Sequence, residues 1–255
     1  MAILQLETLV AGAVTVGLRV SGILVFAPFL GSASIAPRIK AGLALALTAL
    51  LYPVCGRQLD FSALSWVRMM AGETMLGLLI GLAVNLVFEA AQVAGNILGV
   101  QMGYSLVNLI DPQTQVETPV LSLLHQTIVL LIFLHFNVHH WLLRGVARSY
   151  AYLPAGTAFP TGLAGGALLQ AAGSIWLVGI QIAAPALAAT VLADFALAFL
   201  GKASPQLPIM LMGMSVKSML GMVALIGSLA YWPRLFEGHF SHSIELCERL
   251  LRLAH

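Results

Sequence analysis

Hydrophobic residues fill six long segments of the chain, and short stretches rich in polar residues, glycine or proline separate them. The segments cover residues 8–30, 41–55, 69–103, 119–136, 175–200 and 218–232. A helix that crosses a bilayer needs about 20 predominantly apolar residues, but the charge-free runs around the second, third and sixth segments have only 16, 15 and 16 residues. The pattern therefore predicts an all-α, membrane-embedded protein of short helices or helical hairpins, whose polar residues are satisfied by neighbouring protein.

The C-terminal stretch, residues 233–255, has a different pattern. Glu245 and Arg249 form an i,i+4 pair on its polar side, and its apolar residues recur at helical spacing on one face. These residues are Phe236, Phe240, Ile244, Cys247 and Leu251. We expect a single membrane domain over residues 1–232, followed by an amphipathic C-terminal helix over 233–255 that lies on a membrane surface or a partner.

Small residues recur at every fourth position near the middle of the chain. They are Ala91, Gly95, Gly99 and Gly103. On a helix this spacing makes one smooth stripe, along which another backbone can approach closely. The spacing predicts a close-packing helix face at these four residues.

A short polar loop follows this stripe. Asp111 precedes Pro112, which disfavours helical conformation at Asp111, and several polar residues come next. Thr118 followed by Pro119 is typical of an N-cap and a first-turn proline of a new helix. A polar loop between two apolar helices suits a pore or a protein interface, because lipid cannot satisfy its backbone.

The composition supports a membrane protein and argues against several other classes. The chain is 60% hydrophobic and 9% charged, whereas a soluble domain carries roughly a quarter charged residues. Its net charge of +2 is too small to indicate nucleic-acid binding. We find no nucleophile elbow, phosphate-binding loop or HExxH pattern, so we expect neither enzymatic activity nor a cofactor or metal.

Charged residues inside the apolar segments are the strongest candidates for function. They are Arg19, Glu73, Glu89, Asp194 and Lys217. Each is costly in hydrocarbon, by ~2.5–3.5 kcal/mol for Asp, Lys or Arg at a helix centre. In one interpretation Glu73, Glu89 and Asp194 are coupling sites of a secondary transporter for ions or small molecules. In the other, the five residues pair with one another or with partner subunits in a buried interface. The lack of clustering and of an inverted repeat favours the second interpretation.

Three sequence motifs together resemble one known family. They are GVQMGYSLVNLIDPQ at 99–113, LHFNVHHWLL at 134–143 and SPQLPIMLMGMSVK at 204–217. In this order, over nearly the whole chain, they resemble the FliR family, the R subunit of the bacterial flagellar export gate. That subunit is similar to the T subunit of virulence type III secretion systems. The third motif, which begins with Ser204, Pro205 and Gln206, is taken as an export-gate motif.

The resemblance implies a non-enzymatic core subunit of a protein-conducting gate in the bacterial inner (cytoplasmic) membrane, at the flagellar basal body. The family fold looks like a P-like part fused to a Q-like part, packed as hairpins in a hetero-oligomer with P and Q subunits. The other implied partners are the B-type switch subunit, the large export-gate subunit, unfolded export substrates and membrane lipid, but not nucleic acid. The resemblance favours the flagellar over the virulence system.

The family's R subunit also supplies a plug loop inside the closed channel, and residues 104–118 match that loop by position. The central plug residues implied by the resemblance are Tyr104, Ser105, Leu106, Val107, Asn108, Leu109, Ile110, Asp111, Pro112 and Gln113. An assembly factor that nucleates the complex but never lines the export path is a further interpretation.

Overall fold

The computed structural model describes residues 2–28, 31, 35–55, 63–104, 120–154, 161–204 and 209–253. Every regular element within these residues is an α-helix. The eight helices are α1 (Ala2–Phe26), α2 (Pro37–Cys55), α3 (Ala63–Gln101), α4 (Val120–His135), α5 (Val138–Tyr152), α6 (Thr161–Ala203), α7 (Ile209–Ser228) and α8 (Trp232–Leu253). The predicted all-α architecture is confirmed.

Three helices are long and apolar enough to cross a membrane by themselves, over Leu9–Phe26, Trp66–Gln101 and Ala172–Ala203. The bent pairs α4–α5 and α7–α8 each pass the same test when their two helices are taken together, which gives up to five candidate spans. By length and composition, the chain is therefore a membrane-embedded protein, as predicted.

Helix α3 is longer than the charge-free run in its segment, and helix α6 is longer than the apolar segment 175–200. Helix α3 has 39 residues and contains both Glu73 and Glu89. Its apolar part, Trp66–Gln101, extends about 54 Å at 1.5 Å per residue, well beyond the ~30 Å hydrocarbon core of a bilayer. A charged residue can lie inside an apolar helix when a neighbouring residue forms an ion pair with it, as Arg19 does with Glu73. Helix α6 begins at Thr161, well before the predicted segment 175–200, because alanine and leucine there favour helix.

The described residues form two compact units. Unit 1 comprises Met1–Leu86, Phe133–Ala172 and His239–His255, and unit 2 comprises Val87–Ile132 and Gly173–Gly238. The predicted division into one membrane domain and a C-terminal helix remains a prediction.

Helix α3 ends in a well-defined turn. Gly103 has a left-handed φ of 85°, its N–H donates to the Val100 carbonyl at 3.1 Å, and the Tyr104 N–H donates to the Gly99 carbonyl at 2.9 Å. These two bonds are the Schellman pattern, in which a glycine takes the left-handed position without a Cβ clash. The turn therefore stops the helix immediately before the polar loop.

The first part of the apolar face of α8 is covered by the chain itself. Phe236 and Phe240 are fully buried. The Phe240 ring packs edge-on against Phe133 in unit 1, and the Phe236 ring packs against Trp232 in unit 2. Internal packing covers the face at these two residues, and the expectation that the helix lies on a membrane surface or a partner remains a prediction for the rest of it.

Candidate functional site

A buried ion pair joins α1 to α3 in unit 1. The Arg19 Nε lies 2.7 Å from Glu73 Oε2, and both side chains are 0% exposed. A buried charge pair is stable only when its remaining hydrogen-bonding groups are also satisfied. The guanidinium of Arg19 therefore needs further acceptors.

Helix α5 supplies these acceptors. Arg19 Nη1 donates to Ser149 Oγ at 2.8 Å, and Nη2 donates to the Leu153 carbonyl at 3.1 Å. The guanidinium carbon also lies 3.8 Å from the centroid of the Tyr150 ring, a cation–π geometry. We call Arg19, Glu73, Ser149, Tyr150 and Leu153 the arginine network. It joins α1, α3 and the end of α5.

Glycines let α1 and α3 approach closely beside this network. A Cβ on Gly77 would collide with the Arg19 carbonyl oxygen. A Cβ on Gly22 would lie 2.6 Å from the Thr74 carbonyl oxygen, and one on Gly81 would lie 2.7 Å from that of Ile23. Because these contacts are with backbone, the two helices could not keep this separation with any larger residue.

The predicted small-residue stripe lies on α3 only in part. Ala91, Gly95 and Gly99 are buried helix residues, and a Cβ on Gly95 would collide with the backbone of Ser122 on α4 in unit 2. Gly103 lies beyond the helix, in the terminal turn described above.

A second polar network lies in unit 2. Lys217 Nζ on α7 is 2.7 Å from Asp194 Oδ1 on α6, and Gln101 Nε2 on α3 donates to Asp194 Oδ2 at 2.9 Å. Tyr104 follows the terminal turn, and its hydroxyl lies 2.6 Å from Ser218 Oγ. These five residues, which we call the aspartate network, join the end of α3 to α6 and α7.

The structure thus brings four of the five predicted charged residues into two pairs, Arg19–Glu73 and Lys217–Asp194. Glu89 is half-buried on α3. Of the hydrogen-bond partners, Ser149 and Ser218 were not singled out from the sequence, because ordinary serines in apolar segments carry no distinguishing signal.

Of the predicted plug residues, only Tyr104 belongs to the part of the chain that the structure describes. Of Ser204, Pro205 and Gln206, only Ser204 does. Tyr104 is exposed, while Ser105–Gln113 of the expected plug lie outside the described residues. Ser204 is exposed at the end of α6, where its N–H donates to the Leu200 carbonyl at 2.9 Å. Pro205 and Gln206 of the export-gate motif also lie outside the described residues.

Comparison with known proteins places these features in a family. Residues 10–243 match the family model described as bacterial export proteins, family 1. The chain is 28% identical over 240 residues to the flagellar biosynthetic protein FliR of Bacillus subtilis (strain 168), covering 92% of this chain and 93% of that protein. It is 30% identical over 241 residues to FliR of Escherichia coli (strain K12), covering 91% of each.

A virulence protein is also similar to the chain. The Yop proteins translocation protein T of Yersinia pestis is 27% identical over 192 residues, covering 74% of each chain. The predicted resemblance is confirmed, and the chain belongs to the bacterial export proteins of family 1, the family that its FliR relatives represent.

Proposed function

We propose that this chain is the R subunit of a flagellar type III secretion export gate. In this role it forms part of the protein-conducting channel in the inner membrane of the flagellar basal body. The observation that carries the proposal is the similarity to flagellar biosynthetic proteins over more than nine-tenths of both chains. The virulence T protein is similar over a smaller share of each chain, which supports the flagellar system.

Exposed apolar surface is available to lipid and to partner subunits. Leu192, Phe195 and Phe199 on α6 are 68%, 62% and 74% exposed, and they follow one another at helical spacing. Large contiguous apolar patches mark protein or membrane contacts. We assign such surfaces to lipid and to P and Q subunits, against which a P-like part and a Q-like part of this chain would pack. The B-type switch subunit, the large export-gate subunit and unfolded export substrates complete the proposed partners.

In the proposed gate, residues 104–118 form the plug that fills the channel. Close packing along the small-residue stripe holds the gate in its closed state. Two observations support this. The described end of the segment, Tyr104, is held to α7 through Ser218, and Gly95 brings α3 against the α4 backbone. Unfolded substrate would displace the plug when it enters the channel.

Two of the three carboxylates that the secondary-transporter alternative needs, Glu73 and Asp194, are already paired within the chain. Glu73 is fully buried and paired with Arg19, and Asp194 is paired with Lys217. A coupling site must exchange its ion with solvent, which Glu73 cannot do at 0% exposure while it is paired. The Asp194 side chain is 45% exposed, and only its pairing with Lys217 disfavours it as a coupling site.

The test is affinity purification of the tagged chain from its native host in mild detergent, with mass spectrometry of the co-purifying proteins. Stoichiometric recovery of small hydrophobic P- and Q-type subunits is expected. Recovery of a monomer or homodimer that transports an ion by itself would overturn the proposal.

Deleting residues 106–116 is expected to make the assembled gate leak ions, because the plug would no longer fill the channel. The measurement is single-channel conductance of the purified complex in planar bilayers, compared with a variant in which a Gly/Ser linker of equal length replaces 106–116. Both variants should conduct more than the wild-type complex, and unchanged conductance would reject the plug assignment. Crosslinking a stalled substrate to 104–118 separates the gate from an assembly factor, which would give no crosslink.

A further inference from the structure

Helices α5 and α8 form a seam in unit 1 whose two ends differ in chemistry. On α5, Trp141, Gly145, Arg148 and Tyr152 lie at positions i, i+4, i+7 and i+11, which places them on one helix face. On α8, the residues that meet this face include Ile244, Glu248 and Arg252. The contacts between the two helices therefore change from apolar to charged along the seam.

The apolar end of the seam is a shallow groove that is open to the surface. Its lining residues include Trp141, Gly145, Ile244 and Glu248. A Cβ added to Gly145 would meet no atom within 4 Å, so the groove is open at that position. Its enclosed volume is only about 20 Å³, so a ligand would lie along the open groove and not inside a cavity.

The other end of the seam carries guanidinium groups. Arg148 Nη1 lies 3.1 Å from Glu248 Oε1, yet the Arg148 side chain is 66% exposed. Arg252 Nη2 donates to the Tyr152 hydroxyl at 3.0 Å. Arg144 and Arg249 are exposed in the same part of the two helices, and Glu245 and Glu248 are the acidic residues there. Each of these arginines keeps N–H donors that its protein contacts do not use.

We propose that this seam binds one anionic phospholipid. The phosphate would accept hydrogen bonds from Arg148 and Arg252, and a segment of one acyl chain would lie in the groove against Trp141 and Gly145. Guanidinium groups match phosphate geometry, basic pockets between membrane helices hold anionic headgroups, and tryptophan is enriched at the membrane–water interface. The seam has a basic end and an apolar groove, which correspond to the phosphate and the acyl chain of a phospholipid. This inference does not depend on the export-gate proposal.

The test reconstitutes the purified full-length chain with equal amounts of phosphatidylglycerol and phosphatidylcholine, followed by lipid mass spectrometry of the re-purified protein. Wild-type protein is expected to retain phosphatidylglycerol in preference to phosphatidylcholine. Arg148→Gln is expected to lower the retained phosphatidylglycerol by about fivefold, since a basic residue near a membrane surface contributes on the order of 1 kcal/mol.

Glu248→Gln is the matched control, because it breaks the same ion pair as Arg148→Gln but removes a negative charge instead of a positive one. We expect it to raise phosphatidylglycerol retention. If both variants lower retention equally, the ion pair acts on packing alone and the proposal is wrong. Arg38→Gln, which removes an exposed arginine at the start of α2, should leave retention unchanged.

Gly145→Leu separates the groove from the headgroup site, since its side chain would occupy the groove while leaving every arginine in place. It is expected to lower retention of both lipids. Normal retention in this variant would show that the groove holds no acyl chain. Equal retention of the two lipids by the wild type, or a protein partner on the seam that excludes lipid from the complex purified from cells, would also overturn the proposal.

Discussion

Replacing Arg19 by methionine is expected to destabilise the chain by about 3–5 kcal/mol, the cost of leaving one member of a buried ion pair without its partner. Glu73 would remain at 0% exposure, and the Ser149 hydroxyl and the Leu153 carbonyl would lose their donor. The measurement is the thermal unfolding midpoint of the purified chain in mild detergent, together with its steady-state amount in cells.

Arg249→Met is the matched control. It removes the same side chain from an exposed i,i+4 pair with Glu245, in which the charged atoms are 3.9 Å apart. Exposed pairs contribute at most ~1 kcal/mol, so this variant should unfold close to the wild type. Equal stability of the Arg19 and Arg249 variants would contradict a structural role for the arginine network.

The double variant Arg19→Met with Glu73→Met distinguishes the cost of an unpaired buried charge from the cost of the other contacts that Arg19 loses. Apolar replacement of both members of a buried pair is often neutral, so we expect the double variant to recover most of the stability lost by Arg19→Met. A double variant that is less stable than Arg19→Met would instead assign the loss to the contacts with Ser149, Tyr150 and Leu153.

Gly95→Ala is expected to destabilise unit 2, although alanine is the better helix former by about 1 kcal/mol. The added Cβ would collide with Ser122 backbone on α4, and backbone on both sides cannot move without shifting a helix. Overpacking of this kind costs about 1–3 kcal/mol. The thermal midpoint should fall, and recovery of P- and Q-type subunits in affinity purification should fall with it.

Gly42→Ala gives the contrast for this prediction. Gly42 is an exposed glycine on α2, and its added Cβ would meet no atom within 4 Å. Only the gain in helix propensity applies there, so the thermal midpoint of the Gly42→Ala variant should equal or exceed that of the wild type. If Gly95→Ala rises in the same way, α3 does not pack on α4 as closely as described. Gly95→Leu and Gly99→Leu are expected to block assembly, because each adds a larger side chain to a buried helix position.

The sequence made the charged residues recognisable but did not identify most of their contacts. Arg19 and Glu73 stand out because charge is rare in apolar segments. Their pairing depends on how α1 crosses α3, and no local pattern encodes that geometry. Ser149 lies 130 residues from Arg19. Its hydrogen bond with Arg19 can therefore be identified only from the way α5 packs in the folded chain.

Periodicity was informative within helices and less so at their ends. It identified Gly95 as a close-packing residue but included Gly103, because a four-residue spacing does not show where the helix stops. It also identified the amphipathic face of α8. The sequence alone could not show that Phe133 of the same chain, rather than lipid or a partner, covers Phe240.

The arginine network constrains how the ribosome and the membrane-insertion machinery handle this chain. Arg19 is synthesised 54 residues before Glu73 and 130 residues before Ser149, and unit 1 also requires the stretch His239–His255. During translation α1 therefore reaches the bilayer with a cation whose partners do not yet exist. Water, lipid phosphates or the insertion machinery must hold that cation until α5 emerges. Because unit 1 includes His239–His255, it cannot be complete before these residues have been synthesised.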